Sequence, residues 1–329
     1  MPIPGVHHGI RASTADSECS SRISSHEAGI HGPTTGRFEN IDLSGDVGAG
    51  NESVRDTRGE TMLRTDGLTK RYDEVTAVDG LDLDVADGSV YAFLGPNGAG
   101  KTTTIEMLTG MTRPSAGEAH VAGVPVTDRD RLKAHIGYLP DEPPLYDAFS
   151  AREQLEYAAV LRGMDADAAR ERIETLLSRV GLAGEADRRI EGYSTGMRQK
   201  VGLVQAVLHG PDVLVLDEPT GGLDPRAARE VVDLVDGLAD GGTTVFLSTH
   251  VLPVAAELAD EVGVLHEGRL VAEGAPDELT ARAGDGDDTL ETVFLDVTRE
   301  SDAVADDGRG VAGADEGAGT AAENTTVDR

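Results

Sequence analysis

Thiols, indoles and lysines are scarce in this 329-residue chain, and each scarcity narrows what it can be. Cys19 is the only cysteine, which excludes an intramolecular disulfide or a thiolate cluster and points to a reducing cytoplasm. Tryptophan is absent and aromatic residues make up 3% of the chain, so the core must be built from Val, Leu and Ala. No apolar run reaches the roughly 18 residues a membrane helix needs, so no span is expected. The N-terminus has no apolar run of the signal-peptide kind, so no secretory signal is expected either. Lysine occurs only at Lys70, Lys101, Lys133 and Lys200, against 60 Asp and Glu, and the formal net charge is −31. Nucleic acid as a partner calls for a basic surface, which this balance does not supply.

The acidic surplus runs through the middle of the chain as well as its ends. Carboxylates in such excess, with so few lysines, resemble the proteins of salt-loving archaea, whose cytoplasm screens charge over about 3 Å at 1 M salt. Residues 1–61 are rich in Ser, Gly and His and follow neither helix nor strand period, so this extension is expected to be disordered. His7 and His8 stand there without further ligands at metal-binding spacing. Met62 directly precedes the first orderly segment, LRTDGLTKRY, and is expected to be the true start. Residues 62–283 then alternate strands and helices, interrupted over about 150–210 by a purely helical stretch. Within it Ser150 and Glu153 form a capping box, while Gly163 and Gly181 mark helix ends. The expected fold is α/β: a mostly parallel sheet with covering helices, an antiparallel β edge on the N-terminal side and an inserted helical subdomain. Residues 284–329 are expected to form an acidic, mostly disordered tail, in which 290–298 (LETVFLDVT) alternates like a strand.

The chemistry concentrates in Gly95-Pro96-Asn97-Gly98-Ala99-Gly100-Lys101-Thr102-Thr103. This stretch fits G-x-x-x-x-G-K-[ST], follows the apolar run VYAFL and opens the helical run TTTIEML. Strand, glycine loop and helix in that order make a phosphate cradle, because backbone amides and the positive end of the helix converge on phosphate oxygens. A chance match in a chain of this composition has a probability of roughly one per cent. Lys101 is expected at the β- and γ-phosphates, Thr102 on Mg²⁺ and Thr103 at the α-phosphate. A second apolar strand, VLVL, ends in Asp217-Glu218. Ligands bind at strand ends in open α/β sheets, so Asp217 is expected to hold Mg²⁺ and Glu218 to activate water.

With Tyr193-Ser194-Thr195-Gly196-Met197 before LVLDEPTGGLDP, and LSTH ending at His250, the motif order resembles the nucleotide-binding subunit of ABC transporters. The resemblance covers about residues 62–298. It implies the P-loop NTPase fold, ATP and Mg²⁺ as ligands, and ATP hydrolysis. It also implies two partners, an integral membrane permease and a second ATP-binding subunit joined head to tail. Ser194 and Gly196 then stand at the family's signature and reach the γ-phosphate of the second subunit's ATP. Tyr72 stacks on adenine, His250 is the switch histidine, and Asp224 links the two sites. Asp141 stands where the family usually has Gln, and its acid resembles a subgroup of exporter ATPases with separate permeases. The implied place is the cytoplasmic face of the membrane. A soluble ATPase of the DNA- or ribosome-associated kind and an ATP-dependent regulatory module are the alternatives. Intact-mass measurement on the native protein checks the start: a chain beginning at Met62 is expected, and one beginning at Met1 or Pro2 contradicts it.

Overall fold

Two runs of alternating polarity open the described part of the chain, which in this computed structural model covers residues 61–282 and 289–295. β1 (Thr61–Tyr72) and β2 (Val75–Ala86) form an antiparallel hairpin. Along β2, Leu81, Leu83 and Val85 are buried while Asp82 and Asp84 between them are exposed, as a half-buried strand requires. β3 (Val90–Leu94) is buried at every position, and α1 (Lys101–Leu108) follows it across the glycine loop. β4 (Ala116–Val121) and β5 (Val124–Pro125) complete a four-stranded antiparallel sheet in the order β2-β1-β4-β5. α2 (Arg129–His135), which the sequence pattern does not announce, starts on Asp128, whose carboxylate accepts the Arg131 amide. β6 (Ile136–Leu139) then leads into the helical insertion.

That insertion holds α3 (Ala151–Leu161), α4 (Ala166–Arg179) and α5 (Thr195–Val207). The capping box at its start is complete: Glu153 N–H donates to Ser150 Oγ, and Glu153 Oε2 accepts the Ser150 amide. Gly163 and Gly181 end their helices at φ +69° and +71°, a region that glycine enters without steric penalty. β7 (Val213–Asp217), α6 (Pro225–Asp240), β8 (Thr244–Thr249) and α7 (Leu252–Leu258) follow. The chain then runs through β9 (Glu261–His266), β10 (Arg269–Gly274) and α8 (Pro276–Arg282).

The second sheet has six strands in the order β10-β9-β3-β8-β7-β6. Its pairs are parallel except for the β9–β10 hairpin. Alternation sends its side chains into two cores. Ala92, Leu94, Leu214, Leu216 and Leu247 pack with the helical insertion and α6. Tyr91, Phe93, Val215 and Phe246 pack with the four-stranded sheet and α1. The expected α/β architecture is therefore present, with the parallel sheet as the middle layer.

Two expectations are corrected. Thr61, counted above with the extension expected to be disordered, lies inside β1, paired with Ala86. The strand expected over 290–298 is instead helical over 290–295. Leu290 and Val293 are buried and Phe294 packs beside them, an i, i+3, i+4 face that outweighs the alternation of Leu, Thr and Phe. Residues 1–60 and 296–329, with the disorder expected of them, lie outside the described residues.

The few aromatic residues are used economically. Phe246 stacks on Tyr91 at 5.5 Å between ring centroids and tilts against Phe93 at 5.4 Å, directly behind the strand that carries the glycine loop. Phe246→Ala is expected to lower stability by about 3–5 kcal/mol in urea unfolding, whereas Phe246→Leu keeps most of it.

Candidate functional site

The loop between β3 and α1 is glycine where the chain leaves no room for a side chain. A Cβ on Gly100 would lie 2.4 Å from Ala77 O, and Gly100 itself has φ +108°. At Gly95 a Cβ would lie 2.5 Å from Leu265 O. Both contacts are with backbone, so neither yields. The loop is tied beneath by Gly268 N–H donating to Ala99 O at 2.9 Å. Lys101, the first residue of α1, folds back over it: Nζ donates to Gly95 O at 2.7 Å and lies 3.5 Å from Glu218 Oε1.

Across from the loop, the parallel register brings the ends of three strands together. Asp217 closes β7 and is buried, and its Oδ1 accepts the Ser248 hydroxyl at 2.5 Å. Glu218 follows at φ +48°, a left-handed conformation that costs a non-glycine residue of order 1 kcal/mol or more. Three contacts hold it there. Its N–H donates to Ser248 O at 3.0 Å, its Oε2 accepts the His250 amide at 3.3 Å, and the same oxygen lies 2.9 Å from His250 Nδ1. Asp141 enters from the segment after β6.

Together these groups enclose a cleft of about 300 Å³, lined by Ala77, Pro96, Asn97, Gly98, Gly100, Lys101, Thr102, Thr103, Asp141, Asp217 and Glu218. Its electrostatics are strained. Burial first, then the charges of Asp217, Glu218 and Glu142, raise the Asp141 carboxyl above its ordinary range, against a smaller opposing effect of His250. The Tyr138 phenol is pushed up to about 12 by burial, then by Asp217, Glu106 and Asp141. The donor set suits a bound polyanion together with a hard cation. One ammonium, two hydroxyls and a helix N-terminus face three carboxylates. Among the described residues no group of His, Cys, Asp or Glu is arranged to enclose a metal alone. Mg²⁺ is usually held by one or two carboxylates with substrate phosphates and water.

Of the residues singled out in the sequence, the loop, Lys101, Thr102, Thr103, Asp141, Asp217 and Glu218 meet at this cleft, and His250 joins through Glu218. Gly95 and Ala99 lie buried in the loop. Tyr72, Ser194 and Gly196 do not line it. Tyr72 is exposed at the end of β1, with the Lys70 ammonium 4.8 Å from its ring centroid. Ser194 caps α5, its Oγ accepting the Met197 amide, and Tyr193 anchors this cap through a 2.6 Å bond from its hydroxyl to Glu185 O. Asp224 caps α6 by accepting the Arg226 and Ala227 amides, both at 3.0 Å. Ala77 is a site residue that no motif marks, and Ser248 stands inside LSTH with no role assigned to it there. Ser248 becomes visible only when LDE and LSTH are aligned as adjacent parallel strands.

Residues 78–221 match the family described as ABC transporter. The chain is 42% identical over 247 residues to the daunorubicin resistance ATP-binding protein DrrA3 of Streptomyces coeruleorubidus, across 75% of this chain and 78% of that one. It is 40% identical over 223 residues to the Nod factor export ATP-binding protein I of Paraburkholderia xenovorans (strain LB400), across 68% and 73% respectively. A solved ATP-binding subunit of an ABC transporter superposes with a TM-score of 0.67 at 30% identity, over 72% of this chain and 100% of that one.

The charge imbalance has a measurable consequence without any ligand. A carboxyl whose pKa is raised on folding opposes folding while it is ionised, and the opposition fades as pH falls through that raised value. Asp141→Asn is therefore expected to raise the thermal midpoint of the nucleotide-free, metal-free protein at neutral pH, with the difference shrinking in acid. An unchanged or lowered midpoint at neutral pH contradicts the repulsion.

Proposed function

The chain belongs to the ABC transporter family as an ATP-binding, ATP-hydrolysing subunit, and we propose that it powers export through a separately encoded membrane permease, working at the cytoplasmic face of the membrane. The observation that carries this reading is the meeting of Lys101, Asp217 and Glu218 at one cleft beside the glycine loop. Two relatives, a daunorubicin resistance ATP-binding protein and a Nod factor export ATP-binding protein, support the export direction. Drugs, lipids, polysaccharides and ions are the cargo classes in view. Tyr146, Tyr157, Val160 and Leu161 are exposed on and beside α3, and an apolar surface of this kind supports a protein partner. Among the described residues no helix is long and apolar enough to cross a membrane, so transport needs that partner.

In this reading residues 62–283 are the ATP-binding domain. Lys101 and the first amides of α1 hold the β- and γ-phosphates, and Thr103 holds the α-phosphate. Thr102, Asp217 and Asp141 would hold Mg²⁺. Mg²⁺, when bound, neutralises charge on the β- and γ-phosphate oxygens. Glu218 takes a proton from the attacking water as its oxygen bonds to the γ-phosphorus and the bond to the β–γ bridging oxygen breaks, leaving ADP and phosphate. His250 steadies the Glu218 carboxylate and reaches the γ-phosphate. Tyr72 offers its exposed ring to adenine.

Ser194 and Gly196 serve the cleft of a second subunit, in a head-to-tail dimer that buries two ATP molecules. What supports this is that neither residue lines its own chain's cleft, while the start of α5 presents helix amides suited to phosphate oxygens. Asp224 lies beside that contact and links the two sites. The excess of carboxylates over lysines supports the salt-rich cytoplasm of a salt-loving archaeon as the setting. Glu218→Gln tests the whole scheme. The variant is expected to bind ATP, to turn over about 10²–10⁴-fold more slowly, and to run as a dimer with Mg-ATP in size-exclusion chromatography at high salt. A variant that stays monomeric under saturating Mg-ATP at high salt rules out the sandwich.

A further inference from the structure

Ser248 occupies an unusual place for a hydroxyl. It is fully buried in β8, directly after the apolar run Val245-Phe246-Leu247. It stands beside Phe93 of the loop-bearing strand on one side and Asp217 of β7 on the other. Two different atoms of Ser248 then touch two successive acids. Its Oγ donates to Asp217 Oδ1 at 2.5 Å, and its main-chain oxygen accepts the Glu218 amide at 3.0 Å. Of the other buried hydroxyls of β8, Thr249 Oγ1 accepts the Val251 amide, while Thr244 Oγ1 accepts the Gly88 amide and donates at 3.5 Å to Asp87, an acid outside the cleft.

We propose that Ser248 is a positioning residue for the metal-binding carboxylate. Its hydroxyl occupies Asp217 Oδ1, fixes the side chain in one rotamer and leaves Oδ2 for the cation or its water. The same residue holds the Glu218 backbone in its left-handed turn, so one serine sets both the carboxylate that faces the metal and the one that faces water. A buried serine that merely satisfied its own hydroxyl would be replaceable without effect on metal binding. One that orients a ligand would not be, since losing such a partner commonly weakens metal affinity on the order of 10–100-fold.

The inference rests on the reading of Asp217 as a metal ligand, and the test separates the two. Mn²⁺, whose free ion is read by electron paramagnetic resonance, is titrated into the full chain with a non-hydrolysable ATP analogue. Ser248→Ala is expected to weaken Mn²⁺ binding about 10-fold. Affinity for the analogue in EDTA should stay unchanged. Ser248→Thr and Ser248→Val add the same bulk and differ in the hydroxyl, so Thr should keep Mn²⁺ affinity and Val should lose it. Equal affinities for Thr and Val overturn the proposal, as does a native affinity in Ser248→Ala alongside a weakened Asp217→Asn. If Asp217→Asn itself binds Mn²⁺ normally, the reading of Asp217 fails, and the role of Ser248 with it. Thermal unfolding of each variant identifies any that fails to fold; the Thr–Val pair then decides in place of Ala.

Discussion

Charge is out of balance at the carboxyl ends of the six-stranded sheet, and much of the surrounding structure is an answer to that imbalance. Asp141, Asp217 and Glu218 share a cleft with the Lys101 ammonium, which lies 3.5 Å from Glu218. Like charges this close are tolerable only where hydrogen bonds and a counter-charge hold them. Ser248 and His250 provide the bonds, the first from within β8 and the second from the residue that follows it. A triphosphate would add to the negative charge, and in the function proposed above Mg²⁺ would offset it.

Strand register is what turns scattered motifs into a site. The loop follows β3, the two acids end β7 and the histidine follows β8, positions far apart in sequence. Parallel pairing of β7 with β8 and of β8 with β3 sets them side by side at one edge. The aromatic stack of Tyr91 and Phe246 locks two of those strands from behind, in the core that also holds α1.

The loop, the acid pair and the capped helices were legible in the sequence because each is local. Gly100 is needed by a backbone a few ångströms away, VLVLD reads as a buried strand, and Ser150 with Glu153 reads as a helix start. Other features depended on contacts that no local pattern carries. α2 contributes only Leu132 as a buried side chain, too little for a period to show. The segment at 290–295 supports a strand reading and a helix reading equally on hydropathy, and only packing of Leu290 and Val293 decides between them. Ser248 is a small polar residue in an apolar run, and its meaning appears once Asp217 is its neighbour. The carboxylate surface was visible as composition, yet its pairing is uneven. Arg229 meets both Asp233 and Glu257, whereas Asp236 has its carboxyl raised, by burial first and then by Asp240, Asp233 and Glu257.

The left-handed turn at Glu218 also shapes how this subunit can change over evolutionary time. A glycine or asparagine at that position would relax the backbone while removing the carboxylate, so the fold gains from the same substitution that, with Glu218 in its proposed role, silences the chemistry. Selection on stability therefore pulls against selection on turnover at this one codon. A duplicated copy released from the second pressure would drift easily into a well-folded, nucleotide-binding subunit that no longer hydrolyses.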